Sequence, residues 1–361
     1  MYNNLKLLAA TLALILTITS CKKEDATSST TTTTNPDPIV VTDCASATGI
    51  EKIICLANAF KAQLTSSQLT TVQLSYSKSD AIKWSNFPQA LVSSAYRRVG
   101  LNFGSMTTTQ IQYAKALLKE LTSTTENEGW DELQQLLNAD DYLATKNSNG
   151  GYGSANYYIA FLGTSATSGT FEIQFGGHHV AFANTYSNGV LVGATPSFRG
   201  VEPMATFTYN GVSNQALQQE KAAFVAMLNS LTSTELATAK LSTSVSDLVA
   251  GPQKDNNFPS TYSGIKVGNL TTAQKELVMA AIETYVGDVA GTESFLTTYQ
   301  AELDNTYISW SGNTTLENRG DYVRIDGPHV WIEWAGQGGV VFSASHPHSV
   351  WRDKTKDYGG N

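Results

Sequence analysis

Leu64-Thr-Ser-Ser-Gln-Leu-Thr-Thr-Val-Gln-Leu-Ser-Tyr-Ser-Lys-Ser-Asp80 lies without a gap over Leu231-Thr-Ser-Thr-Glu-Leu-Ala-Thr-Ala-Lys-Leu-Ser-Thr-Ser-Val-Ser-Asp247, and ten of the 17 positions are identical. Two further stretches return in the same order. Asn86-Phe87-Pro88 recurs as Asn257-Phe258-Pro259, and Gly100-Leu-Asn-Phe-Gly104 as Gly264-Ile-Lys-Val-Gly268. The matches predict a unit of roughly 165 residues written twice, far longer than a solenoid repeat. Each copy carries helix-start chemistry. Thr65, Thr107, Thr232 and Thr271 are followed three residues later by Gln68, Gln110, Glu235 and Gln274. That spacing lets each side chain satisfy an orphan amide of a helix's first turn. Behind Thr107 and Thr271 the apolar residues recur at helical spacing, and further amphipathic helices are expected near Ile53–Leu64 and Ala216–Leu228.

After its helices each copy turns to strand chemistry. Strands are expected at Tyr157–Leu162, Thr170–Phe175, His179–Thr185 and Val190–Ala194, with Asn188-Gly189 as a hairpin turn. The second copy offers Tyr322–Ile325, Val330–Trp334 and Val340–Ser345. Helices followed by a strand meander predict an α+β fold. We expect two tandem pseudo-repeats, 44–212 and 213–361, packed as one body because no linker-like stretch divides them.

The repeat is preceded by a different kind of chain. Leu7–Ile18 is an apolar core of 12 residues behind Lys6, the length of a secretory leader and too short to span a bilayer. It ends in Ile18-Thr19-Ser20-Cys21, which resembles a bacterial lipoprotein box. That resemblance implies a signal peptide over 1–20 and acylation of Cys21, which would anchor the chain to a lipid bilayer. Lys22-Lys23-Glu24-Asp25 resembles the charged tag of surface lipoproteins, and implies outer-membrane placement in the cell envelope, periplasmic or surface-exposed. Residues 21–43, rich in Ser, Thr and Pro, have too little to bury and read as an extended tether. In an oxidising compartment Cys44 and Cys55 can close a small loop, and a disulfide is expected there.

Across 361 residues the chain carries 23 basic and 31 acidic side chains, a formal charge of −8. No basic stripe is present to neutralise phosphates, so nucleic acid is not an expected partner. Only 15% of residues are charged, and no apolar run reaches the ~18–20 residues that a spanning helix needs.

All five histidines fall in the two meanders: His178, His179, His329, His346 and His348. On an extended segment, residues i and i+2 share a face, so His346 and His348 would present two imidazoles to one point. His178 and His179 are adjacent and would face opposite ways, so one of them is expected to join. Glu333, alternating with Trp331 and Trp334, would add a carboxylate as ligand or base. Such an N/O set suits Zn, Cu or Fe. The same histidines would equally serve a polar core, hydrogen-bonded or stacked on aromatics. Arg352 and Asp353 follow the pair: Arg352 would clamp a substrate's anionic group, or the two would form a structural ion pair. Glu202 before Pro203 is open to the same two readings. No zincin motif, nucleophile elbow or phosphate loop is present. Trp310, Trp331, Trp334 and Trp351 crowd the C-terminal end, as they would around a ligand pocket or in a sheet core.

Gly176-Gly-His-His179, Thr195-Pro-Ser-Phe-Arg-Gly-Val-Glu202-Pro203, Trp331-Ile-Glu333 and His346-Pro-His-Ser-Val-Trp-Arg-Asp353, with Asp357-Tyr358-Gly359, together resemble the DUF3500 family, a family of unknown function. The resemblance runs from about residue 55 to the C-terminus. It brings no activity, but it implies that the His-His, Glu-Pro, His-x-His and Arg-Asp elements form one module. Pro347 stands where a bulkier residue is typical, and His329 is the least typical of the histidines, hence the weakest candidate ligand. Two functions are expected. One is a His-ligated metal site between two duplicated halves, performing hydrolysis or oxidation. The other is a non-catalytic surface module that grips a small molecule, glycan or peptide through Trp and Tyr faces.

Overall fold

The computed structural model describes residues 35–94 and 97–360. The leader, Cys21 and the tether as far as Thr34 lie outside them. Residues 35–43, assigned above to the tether, already belong to the folded unit, which runs from Asn35. Lys115 donates to Asn35 Oδ1 (2.7 Å), and the Ile39 amide donates to the Gln112 carbonyl (3.3 Å). Cys44 and Cys55 are joined as a disulfide, with their Cα atoms 5.7 Å apart. No helix among the described residues is long and apolar enough to cross a membrane.

The described chain is mixed α and β, with nine helices and a large, mainly antiparallel sheet. Its first part runs α1 (Gly49–Ala62), α2 (Ser66–Val72), β1 (Gln73–Leu74), α3 (Lys78–Ala81), β2 (Leu101–Asn102), α4 (Thr108–Leu121) and α5 (Gly129–Lys146). Strands β3 (Tyr158–Leu162), β4 (Thr170–Gly176), β5 (Val180–Ser187), β6 (Val190–Gly193) and β7 (Ser197–Gly200) follow, then the small hairpin β8 (Phe207–Tyr209) and β9 (Val212–Asn214). The second part runs α6 (Gln218–Asn229), α7 (Ser233–Ala239), β10 (Ile265–Lys266), α8 (Thr272–Val286), α9 (Glu293–Glu302), β11 (Tyr307–Ser311), β12 (Tyr322–Asp326), β13 (Val330–Gln337) and β14 (His346–Asp353).

All four expected capping boxes are formed, with Thr65, Thr107, Thr232 and Thr271 as N-caps. Each box leads into a helix at the position its spacing predicts. One strand expectation needs correction. Val340–Ser345 is not a strand, and the ladder falls instead on 346–353. The amides of 340–342 bond to a buried carboxylate and are lost to any ladder.

The main sheet runs β1-β3-β4-β5-β7-β14-β13-β12-β11-β10, with β2 beside β3 and β6 beside β5. All its pairings are antiparallel except β1 with β3. The β7–β14 seam joins the strands of the first part to those of the second, pairing Arg199 with Ser349 and Gly200 with His348. Residues alternate between the two faces. One face, carrying Phe161, Phe175, Ile332 and Trp351, packs with the long helices in the main core. The other, carrying Phe198, Ala335 and Val350, is covered by Trp84, Leu248 and Tyr358 from irregular segments. His346 and His348 share the parity of Val350 and therefore belong to this loop-covered face.

Candidate metal centre

The turn from β4 into β5 is built by two glycines. A Cβ on Gly176 would stand 2.8 Å from the Val180 carbonyl oxygen, and one on Gly177 would stand 2.6 Å from the Tyr157 ring. Neither position has room for a side chain. The Gly177 amide donates to Val180 O (2.8 Å), and the Tyr157 hydroxyl donates to the His178 carbonyl. His179 then adopts a left-handed backbone with φ +63, a conformation that His tolerates better than most residues. This overturns the expectation that adjacent His178 and His179 face apart, since alternation holds only for extended chain. The left-handed residue folds its ring back, and the two imidazoles stack at 3.7 Å.

Across the seam, His346 and His348 do share a face, with ring centres 5.3 Å apart. His179 lies 5.1 Å from the first and 5.4 Å from the second. One ring nitrogen from each of His179, His346 and His348 lies within 4.8 Å of the others. Gly200 on β7 makes the approach possible. Its amide donates to His179 O (2.8 Å), and a Cβ there would stand 2.9 Å from His179 Cδ2.

Burial keeps His179 and His346 neutral. Burial, reinforced by His178, His346 and His348, holds His179 well below the usual imidazole range. Burial and then His348 and His178 push His346 down to about 3. Neutral imidazole is the form that ligates, so neither has a proton to expel at pH 7. His348 Nδ1 is fixed by Asp247 (3.1 Å), which leaves its Nε2 for an ion. A carboxylate behind a histidine in this way sets ring orientation and raises ligand basicity. His178 is held by Asp140 at 2.6 Å. His346 Nδ1 is buried with no hydrogen-bond partner.

The trio lies on an open cavity of about 210 Å³ that Glu202, Tyr152 and Val340 also line. Glu202 is buried, and its Oε1 accepts from the amides of Val340, Val341 and Phe342 at 2.8, 2.9 and 2.8 Å. This carboxylate ties the loop after β13 to the chain after β7.

A family model described as protein of unknown function (DUF3500) matches residues 46–360. The chain belongs to the DUF3500 family. No curated protein and no solved structure matches it. In this DUF3500 chain the His-His, Glu-Pro and His-x-His elements meet at one cavity. The other elements that carried the resemblance lie elsewhere.

Glu333 accepts from the amides of Val249 and Ala250, the Tyr322 hydroxyl and the Trp331 indole, at 2.7–2.8 Å. Its acceptor sites are filled by the fold, and it is not grouped with the histidines. Arg352 is fully buried between Asp255 and Asp357 and donates to the Ala250 carbonyl, so its guanidinium is an internal tie. Asp353 accepts from the Tyr299 hydroxyl (2.8 Å) and the amides of Thr355 and Lys356. His329 is paired with Glu302 at 2.5 Å. Trp310, Trp331, Trp334 and Trp351 are at most 7% exposed, so they belong to the core.

Sequence reasoning did not find Asp140 or Asp247 as partners of the histidines, from which they lie far in sequence, although Asp247 closes the second copy of the repeated stretch. It also missed a second buried group on the helix-covered face. There Arg199 pairs with Asp288 (2.6 Å) and Glu132 (3.2 Å), with Glu220 at 3.8 Å. Burial and neighbouring carboxylates push Glu128 up to about 9, and burial raises Glu132 to about 7.

Proposed function

We propose that the protein holds one transition-metal ion, Zn, Cu or Fe, on His179, His346 and His348, and uses it for metal-assisted hydrolysis or oxidation. The observation that carries this reading is the convergence of three imidazole nitrogens within 4.8 Å at an open cavity. Tetrahedral ligands at ~2.05 Å would stand ~3.4 Å apart, so an ion would draw the three inward slightly. Three protein ligands with space beside them describe a catalytic site more than a structural one, because a fourth position stays open for water or substrate. The ion would polarise a bound oxygen or activate a water there. The chain's own groups have simpler work. Asp247 orients His348, Asp140 and the stacked His178 support His179, and Glu202 holds the cavity's edge.

The setting supports export to an oxidising compartment. The leader and Cys21 suggest an acylated protein of the envelope, and the Cys44–Cys55 bridge suits that location. We also infer that the two parts arose by duplication. Support comes from the paired capping boxes and from Gly100 and Gly264. These two have φ +91 and +99, and a Cβ on either would stand 2.1 Å from a strand carbonyl. His179 and His329 hold matching places before β5 and β13, and in this reading only the first kept a part in the centre.

Metal analysis of the protein purified without a His-tag tests the proposal. About one equivalent of bound transition metal is expected, lost in His179→Ala and His348→Ala. Less than about a tenth of an equivalent, with no uptake on reloading, would overturn it.

A further inference from the structure

The cavity above the three histidines has an apolar mouth. Leu91 is 65% exposed and Val340 is 72% exposed, and both line it together with Phe87 and Pro88. Single exposed apolar side chains are ordinary on a protein surface. Here they converge from two distant segments, Asn86–Leu91 and Gly338–Val340, on the opening of one cavity. The arrangement is also held in place. Three charge-assisted bonds from the amides of 340–342 to Glu202 fix Val340 at the rim.

The charges point the same way. Among the described residues no Lys or Arg lines the cavity, so no side-chain cation is available there to pair with a phosphate or carboxylate. Glu202 is engaged by the backbone. The volume, about 210 Å³, falls below the ~300 Å³ lower end of drug-sized pockets.

We propose that the site accepts a small uncharged organic molecule with an aromatic or branched aliphatic body and a polar head. The body lies on Phe87, Leu91 and Val340, and the head reaches the ion. The proposal rests on the metal reading above and names the substrate class for it.

Two hydroxamic acids separate the two claims. Both chelate an ion through the same head, but benzohydroxamic acid carries a ring and acetohydroxamic acid only a methyl group. With the folded protein loaded with one equivalent of Zn²⁺, calorimetry should show benzohydroxamate binding about tenfold tighter, from burial of the ring. The double variant Leu91→Ser/Val340→Ser changes only exposed side chains. It should bring the two probes within about threefold while leaving acetohydroxamate unchanged. Equal binding of both probes to the parent protein would overturn the apolar mouth and leave the metal centre standing. A preference that persists in the double variant would do the same. Zinc retained with neither probe bound would also overturn this proposal, whereas a protein that holds no zinc would bring down both.

Discussion

Gly200 stands where β7 passes the His179 ring, and a Cβ there would also lie 2.9 Å from the Pro347 carbonyl oxygen. Gly200→Ala must therefore push the ring or the strand aside. We expect bound metal after dialysis, read by elemental analysis, to fall at least several-fold. Urea unfolding should show a loss of about 1–3 kcal/mol, the usual cost of overpacking. Unchanged metal content would show that His179 is not a ligand. At this scale the sequence was partly readable. The i, i+2 spacing of His346 and His348 carries its own geometry, because strand alternation is a property of the backbone. The direction of His179 was not readable, since it depends on one left-handed residue whose conformation is enforced by Gly177, Gly200 and Tyr157 acting together. Asp140 and Asp247 were hidden for a similar reason, as nothing local distinguishes them from the chain's other acids.

The loop after β13 is an element shaped by one side chain. Glu202→Gln removes the charge that gathers three amides while keeping the side chain's shape. Hydrogen exchange followed by mass spectrometry should show the amides of Val340, Val341 and Phe342 exchanging about tenfold faster or more, with β13 and β14 protected as before. No change at 340–342 would mean that the loop is held by packing instead. This element explains the one misplaced strand. Val340-Val341-Phe342 has strand composition, and only a distant carboxylate diverts its donors. The capped helices were legible for the opposite reason. A Thr and a Gln or Glu three residues apart complete their bonding within one turn, so no distant partner can overrule them.

At the scale of the whole molecule, the buried acids around Arg199 set a pH dependence. Glu220 is fully buried, and burial with the nearby Glu132 and Asp288 raises its carboxyl well above the ordinary 4.5. Above that pH the native state keeps a proton that the unfolded chain has released, so stability falls as pH rises. Glu220→Gln removes this dependence. Its stability relative to the parent should improve from pH 5 to pH 8, by up to ~1.4 kcal/mol per pH unit in denaturant titrations. A constant difference across that range would show that Glu220 is ionised in the fold. The capping boxes and the strand-like runs foretold a mixed fold of helices and a mainly antiparallel sheet, but they were silent on this cluster. Glu128, Glu132, Glu220 and Asp288 come from three separate helix ends and starts, and only the packing of α5, α6 and α8 on the sheet face that carries Arg199 collects them. The β7–β14 seam has a consequence for the timing of assembly. Since His179 lies on one side of it and His346 and His348 on the other, a ribosome must finish nearly the whole polypeptide before the three rings can meet. A chain threaded outward as it is made would thus take its ion from the destination compartment, and the metal pool of the cell interior would never see a completed site.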